Sequence, residues 1–380
     1  MDESLYEAIK QAKNPADAYR FTLSMLTRKK RVLNSVLIEL TPVCNFRCPF
    51  CYARKTSEEI KVEGAKVQRF DYWKGIFNRL AEKKVMTIGF TGGECMLHQD
   101  FADIYRYAVT HGFIIGMISN CSCLTDEILD LFTQYPPKNI SVTVYGASQE
   151  TYQRVCGKAE YFDTVMRNLR RLKEHRIPFT IQTTVSKDNV EDLPAIQAIS
   201  RELGVQYMFS EALTAFKQCS TNAAVANSAD ETRINEITQR IDRETDLKLI
   251  RRHGEIDAPK VQLTKGVGCS AGRNSAFINY RGCMEPCVNY DGISVSLDEH
   301  TVDEAWNMIV AHCDEIPYIE ECNGCIHWNR CRHCFALHYH DTHDFTKPSP
   351  RFCFKRLHPE EAARIEAYYA EHGKLPPFEG

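Results

Sequence analysis

The stretch Val36-Leu-Ile-Glu-Leu40-Thr-Pro-Val-Cys44-Asn-Phe-Arg-Cys48-Pro-Phe-Cys51 decides how this chain is read. Val36–Leu40 is a short apolar run of strand length, and Thr41-Pro42 ends it. The loop that follows carries three cysteines at Cys-x3-Cys-x2-Cys spacing. Three thiolates on one loop can hold three irons of a [4Fe–4S] cluster, leaving the fourth iron open to the amino and carboxylate groups of a small molecule. The bland alternative is a zinc knuckle or a set of buried thiols. A closed structural zinc site wants four ligands, and neither a His nor a fourth Cys is spaced for it nearby.

Outward from this loop the sequence has a rhythm. Apolar, β-branched runs recur at Val85–Phe90, Phe113–Ile118, Ile140–Tyr145, Phe179–Val185 and Val205–Phe209. Helical patterns lie between them: Tyr72, Ile76, Phe77 and Leu80 share one face, as do Phe162, Val165, Leu169 and Leu172. Six strands alternating with helices predict parallel βαβ units with right-handed crossovers. The fold class is therefore α/β, a partial (β/α)6 TIM-like barrel with its site at the C-terminal strand ends. The predicted layout is a helical segment at 1–35, the barrel at 36–213, a polar helical linker at 214–265 and a Cys-rich domain at 266–380, with the boundary near Lys260.

Composition narrows the class. The chain has 380 residues, 43% of them hydrophobic, and a net charge of −3. That balance argues against binding to nucleic acid or to a membrane surface through bulk positive charge. There is no apolar run of transmembrane length and no signal-like N-terminus, so the expected location is the cytoplasm. Its 17 cysteines are the outlier. In a reducing compartment they read as metal ligands or catalytic thiols before disulfides.

The Cys-x3-Cys-x2-Cys loop after the first strand of a βα series resembles the radical S-adenosylmethionine (radical SAM) superfamily, over roughly Val36–Phe209. The resemblance implies that Cys44, Cys48 and Cys51 hold a [4Fe–4S] cluster and that Tyr52, after the last of them, meets the adenine of S-adenosylmethionine. Phe50 matches the aromatic position before the third cysteine. Gly92-Gly93-Glu94, after the second run, matches the family's turn for the cofactor's ammonium: glycines permit close backbone approach, and Glu94 supplies a carboxylate. Ser119-Asn120 and Thr143 match positions that touch ribose or the methionine carboxylate, and Arg154 is a candidate partner for that carboxylate. Tyr145 stands where many relatives carry Asp.

The C-terminal third carries Cys269-x12-Gly282-x4-Cys287, Cys322-x2-Cys325-x5-Cys331-x2-Cys334 and Cys353. This pattern resembles the SPASM extension of radical enzymes that modify peptides and proteins. Two residues, Arg332 and His333, precede Cys334, where the family usually has three. The resemblance implies two auxiliary Fe–S clusters, expected as [4Fe–4S]: one on Cys269, Cys287 and Cys334, the other on Cys322, Cys325, Cys331 and Cys353. Cys283 is the candidate fourth ligand of the first; otherwise that cluster keeps an open iron able to take a substrate thiolate. A hairpin turning at Gly282, between Phe277–Tyr280 and Met284–Asn289, should bring Cys269 and Cys287 together. Two zinc sites would fit the same spacings. Cys95, Cys121, Cys123, Cys156, Cys219 and Cys313 are expected to be ordinary small core residues, with Cys95 set apart by its place after Glu94. His327, His333, His338, His340 and His343 are expected around the clusters rather than on them.

The implied function is reductive cleavage of S-adenosylmethionine to a 5′-deoxyadenosyl radical and oxidative modification of a peptide, a C–S or C–C crosslink in a ribosomally made peptide. An anaerobic sulfatase maturase is a second expectation, weakened by Val288 where such relatives carry Asp. A maturase for a peptide-derived redox cofactor is a third, and a non-catalytic zinc-binding adaptor a fourth. The expected partners are the peptide or protein substrate and an electron donor such as flavodoxin or ferredoxin. The 35 residues before Val36 are too few for a winged peptide-binding domain. Leader recognition is therefore expected from a separate leader-peptide-binding protein, or from the barrel mouth and Asn222–Arg252.

Overall fold

Each of the six apolar runs forms a strand in the computed structural model, which describes residues 15–210, 213, 219–241, 265–331 and 333–373. The strands are β1 (Ser35–Thr41), β2 (Thr87–Gly92), β3 (Ile114–Ser119), β4 (Asn139–Thr143), β5 (Phe179–Thr184) and β6 (Tyr207–Ser210). They pair in parallel, each with the next. Helices cross over between them, as parallel connections require. Alternation is clean in β5, where Phe179, Ile181 and Thr183 are buried and Thr180, Gln182 and Thr184 half-buried; in β1, Val36, Ile38 and Leu40 are fully buried, and Glu39 and Thr41 are buried with them at the strand's C-terminal end. β2 begins two residues later than the apolar run suggests. Lys84 adopts a left-handed φ of +58°, and the Val85 N–H still closes the preceding helix on Leu80 (3.1 Å).

The helix Phe70–Glu82 buries Trp73, Ile76, Phe77 and Leu80; Trp73, rather than Tyr72, completes its apolar face. The helix Tyr161–Glu174 buries Val165, Met166, Leu169 and Leu172, as its spacing requires. The two long connections hold short helices of their own, Ser57–Val62 and Gln149–Cys156. Thr56 and Glu59 close the first in a capping box.

A feature that periodicity did not disclose lies on the other side of β1. The strand β7 (Ser275–Ile278) pairs in parallel with β1, and β8 (Cys283–Glu285) and β9 (Val295–Ser296) follow antiparallel. The result is one nine-stranded sheet, β6-β5-β4-β3-β2-β1-β7-β8-β9. Its two edges, β6 and β9, leave the barrel open. The hairpin turns where expected: Gly282 has a φ of +88°, and a Cβ there would strike the Tyr72 hydroxyl at 1.8 Å. The helix Val302–Glu315, opened by a Thr301–Glu304 capping box, docks the Cys-rich segment on the N-terminal stretch leading into β1 through Trp306 Nε1–H to the Arg31 carbonyl (2.7 Å).

The helix Pro15–Lys29 falls in the N-terminal segment read as helical; the first 14 residues of that segment, the boundary near Lys260 and the whole of 242–264 lie outside the described residues. Helices Thr221–Asn227 and Glu231–Arg240 fall in the polar stretch. No helix among the described residues is long and apolar enough to cross a membrane.

Candidate active site

Parallel strands present all their C-terminal ends on one edge of the sheet, so the loops after β1, β2, β3 and β4 converge there. The loop after β1 carries Cys44, Cys48 and Cys51, all half-buried. Backbone N–H groups aim at their sulfurs: Phe46 N–H at Cys44 Sγ (3.4 Å) and Arg54 N–H at Cys51 Sγ (3.3 Å). Burial pushes the Cys44 thiol up to about 12; the Phe46 N–H works against this, and Glu94 and Cys51 add to it. Burial likewise raises Cys48, which also feels Cys51 and Cys44. Three thiols that raise one another stand close together. Each needs a positive partner before it ionises, which is how an iron site selects itself over free thiolate.

Gly92-Gly93-Glu94 buttresses this loop. The Gly93 N–H donates to the Thr41 carbonyl (2.8 Å) and the Glu94 N–H to the Val43 carbonyl (3.0 Å). A Cβ on Gly93 would lie 2.5 Å from the Val43 oxygen and 2.6 Å from the Pro42 oxygen; one on Gly92, whose φ is +141°, would lie 2.2 Å from the Thr41 oxygen. Both glycines are thus required by contact with the backbone leading into Cys44, before any cofactor is considered.

Glu94 is wholly buried. Its Oε1 accepts from the Met96 N–H (3.1 Å) and the Ser119 hydroxyl (2.9 Å), and its Oε2 from the Asn120 N–H (2.7 Å). Burial raises its pKa and these donors lower it. A carboxylate offers about four acceptor positions, so capacity remains on Oε2 for an ammonium. Cys95 lies fully buried with its Sγ 3.8 Å from Glu94 Oε1, packed under the site. Asn120 donates from Nδ2 to Asn45 Oδ1 (3.0 Å) and stands 3.7 Å from Cys44 Sγ. The residues after β2 and β3 therefore reach the cysteine loop itself.

Other predicted positions are placed differently. Phe50 is buried in an apolar group with Val155, Leu213, Cys219 and Ala224. Tyr52 is half-buried and packs both there and against Leu337 and Phe352. Thr143 ends β4, half-buried opposite Gln182. Arg154 is exposed, its Nη2 donating to Thr151 Oγ1 (3.0 Å) and the Asp188 carbonyl (3.3 Å). Tyr145 hydrogen-bonds Cys48 through its side chain and stands edge-on to Phe50, ring centroids 6.1 Å apart. The only signal for it in the sequence was an unexpected aromatic residue at the end of the fourth run.

The C-terminal cysteines fall into two neighbourhoods. Cys322 is raised to about 12, chiefly by burial and then by Cys331, Cys325 and Cys353. The Phe354 N–H donates to Cys331 Sγ (3.2 Å). Cys287 is raised by burial and then by Cys334 and Cys269, and Cys334 by burial with Cys269. Cys283 joins neither: burial raises it, and its neighbours are Ser294, Glu285, Arg281 and Asp298.

Of the histidines, His338 and His340 sit on a helix, Phe335–Thr342, rather than in a loop. His340 Nε2 meets the Asn289 carbonyl (2.9 Å), and the Ser349 N–H donates to His338 Nδ1 (2.8 Å). His327 is buried beside Glu366 (3.2 Å), His333 stacks on Trp328 with centroids 3.4 Å apart, and His343 caps the helix with φ +54°.

Residues 38–198 match the family model of the radical SAM superfamily. The AdoMet-dependent heme synthase of Methanosarcina barkeri is 24% identical over 338 residues, 84% of this chain and 95% of that protein. The PqqA peptide cyclase of Bradyrhizobium diazoefficiens is 25% identical over 170 residues, 44% of this chain and 43% of that protein. The chain thus spans nearly all of the heme synthase but under half of the peptide cyclase. Streptococcus suis SuiB superposes with a TM-score of 0.65 at 13% identity, over 89% of this chain and 82% of that one. AnSMEcpe with bound AdoMet and Cp18Cys peptide gives 0.64 at 14%, over 90% of this chain and 100% of that one. At such identity the superpositions show the shared fold.

The family implies a [4Fe–4S] cluster with S-adenosylmethionine, and the donor set fits. Three thiols on one loop receive N–H groups, and a buried carboxylate with spare acceptor capacity stands beside them. Among the described residues no three His, Cys, Asp or Glu side chains are gathered as the donors of one metal ion would be. A [4Fe–4S] cluster makes a different demand, since each thiolate takes its own corner of a cube.

Proposed function

Because residues 38–198 are a radical SAM domain, we propose that this chain cleaves S-adenosylmethionine at Cys44, Cys48 and Cys51 and uses the radical to modify a peptide oxidatively, by a C–S or C–C crosslink. The observation that carries the reading is the three-cysteine loop clamped by Gly93 and Glu94 at the C-terminal edge of the sheet. Cys44, Cys48 and Cys51 would hold a [4Fe–4S] cluster, which would supply there the electron for reductive cleavage of S-adenosylmethionine and so a radical able to take a hydrogen atom from the substrate. The protein's own part is positioning. Glu94 offers Oε2 to the ammonium, while Ser119 and Asn120 hold its carboxylate in place. Tyr145 holds Cys48, and Asn120 stands against Cys44. Phe50 and Tyr52 wall one side with apolar surface, and Thr143 lines the end of β4.

Arg154 at the exposed rim is assigned to the cofactor carboxylate. A charge-assisted hydrogen bond is worth about 1.5–3 kcal/mol. Arg154→Ala should then raise KM for S-adenosylmethionine by roughly tenfold or more, with iron content unchanged; an unchanged KM removes Arg154 from the site.

Two auxiliary [4Fe–4S] clusters are proposed, on Cys322, Cys325, Cys331 and Cys353 and on a group containing Cys269, Cys287 and Cys334. They would accept the electron that a net oxidation releases. Protein reconstituted anaerobically with iron and sulfide should hold about 12 iron atoms per chain. A stable value near four, with zinc bound, means that the C-terminal cysteines form a zinc domain. The electron donor is proposed to be a small flavin or iron–sulfur protein such as flavodoxin or ferredoxin. Recognition of a leader segment, where the substrate has one, is assigned to a separate protein or to the barrel mouth.

The near-complete alignment with a heme synthase favours a second reading, in which the same radical acts on a heme precursor. Anaerobic turnover with each candidate separates them. A crosslinked peptide loses two hydrogens in its mass, whereas heme formation appears in the visible spectrum and leaves every peptide unchanged.

A further inference from the structure

We propose that Cys313 is the fourth protein ligand of the auxiliary cluster assigned to Cys269, Cys287 and Cys334, in place of Cys283. The proposal rests on the reading of those cysteines as cluster ligands.

Hairpin register separates the two candidates. β7 runs from Ser275 to Ile278, and Cys269 lies just ahead of its start. β8 returns antiparallel, with Ile278 opposite Met284 and Phe277 opposite Glu285. Cys283 is therefore at the turn end of the hairpin, where its N–H and carbonyl bond Asn279 (3.1 and 3.0 Å). Cys287, beyond Glu285, is carried back toward the start of β7, where Cys269 waits. Strand geometry, at about 3.3 Å per residue, keeps Cys283 at the far end of this ladder.

Cys313 stands at the near end. It lies wholly buried in the last turn of the helix Val302–Glu315. Its thiol points at the Cys269 loop: a Cβ on Gly272 would come within 2.6 Å of Cys313 Sγ and 2.7 Å of its Cβ. Gly272, three residues after Cys269, is held at φ +61° with its N–H on the Ser275 carbonyl (3.1 Å). Cys313 and Cys269 lie within electrostatic reach of one another, as do Cys313 and Cys287, Cys287 and Cys334, and Cys334 and Cys269. The stripe Ala305, Ile309, Cys313 accounts for burial at that position. It does not account for a thiol set beside the Cys269 loop and within electrostatic reach of both Cys269 and Cys287.

Ligation forms an Fe–S bond and releases the thiol proton to solvent, with no change in iron oxidation state. Four protein thiolates leave no open corner. This cluster then carries electrons and does not anchor a substrate thiolate.

The test uses full-length protein in which Cys44, Cys48 and Cys51 are all alanine, so that every remaining cluster is C-terminal. After reconstitution, ferricyanide oxidation is followed by electron paramagnetic resonance and iron analysis, because a cluster with an unprotected corner loses that iron and gives a [3Fe–4S] signal. With Cys313 present, no such signal is expected. Adding Cys313→Ala should produce it, with loss of about one iron of the eight or so present. Cys313→Ser, which keeps the volume of the buried site, should do the same, and Cys283→Ala should not. A [3Fe–4S] signal with Cys313 intact overturns the proposal, as does a signal from Cys283→Ala and none from either Cys313 variant. If the background protein binds zinc and no iron, the underlying assignment of the C-terminal cysteines fails instead.

Discussion

Replacing any one of Cys44, Cys48 and Cys51 by alanine is expected to bring 5′-deoxyadenosine formation to background and to remove about four iron atoms per chain, while the C-terminal cysteines keep theirs. The cluster that binds S-adenosylmethionine has only three protein corners, so losing one leaves two irons without a protein ligand. The site has little to spare. Its thiols are half-buried, all three are raised by burial, and Cys44 and Cys48 also by neighbouring cysteines; they would gain their stability as thiolates from bound iron. Cys123 lies close enough to Cys44 to interact with it electrostatically, so Cys44→Ala is best read beside the Cys44→Ala/Cys123→Ala double variant. Wild-type-like cleavage in the double variant, or in Cys48→Ala or Cys51→Ala, would refute the assignment. Far away, Cys322 and its neighbours are held by their own loops and helices; their iron should survive.

Gly93→Ala should be nearly as damaging, with no ligand removed. The new methyl group meets two carbonyl oxygens of the chain leading into Cys44, at 2.5 and 2.6 Å. Backbone cannot rotate aside as a side chain can, so the cysteine loop must move. Overpacking of this kind costs about 1–3 kcal/mol of stability, and a displacement of about 1 Å at a reacting centre can cost roughly a hundredfold in rate. The expected result is a folded protein with its C-terminal iron intact and cleavage of S-adenosylmethionine lowered about a hundredfold. The measurement is single-turnover formation of 5′-deoxyadenosine beside total iron. Activity within about twofold of wild type would show that the loop tolerates the shift and that the clamp described here is not needed.

The βα rhythm was legible because each parallel strand buries one face in the core and so carries apolar residues at alternate positions, and each crossover helix must show one apolar stripe. Val36–Leu40 and the spacing of Cys44, Cys48 and Cys51 sit within one strand and one loop, so nearest-neighbour geometry settles them. The same holds for the turn at Gly282. The helix Val302–Glu315 has a local signal only at its start, the Thr301–Glu304 capping box; its amphipathic stripe lies between cysteine-rich stretches without that periodicity.

What the sequence by itself determined, then, was the fold class, the order of the six barrel strands and the loop that carries Cys44, Cys48 and Cys51, all of them set by contacts between residues close along the chain. The tertiary structure decided the rest. It placed β7 beside β1 and so joined the Cys-rich segment to the barrel sheet. It showed that Gly92 and Gly93 answer first to the backbone of another loop, and it turned the Tyr145 hydroxyl onto Cys48. It also set Cys283 and Cys313 at opposite ends of one hairpin. The resemblance left Cys283, near Cys287 in number, as the candidate fourth ligand, with an open iron as the alternative. Antiparallel register and the docking of a helix from farther along the chain put Cys313 nearer in space, because a strand carries its residues apart at a fixed rise while a fold brings distant segments together.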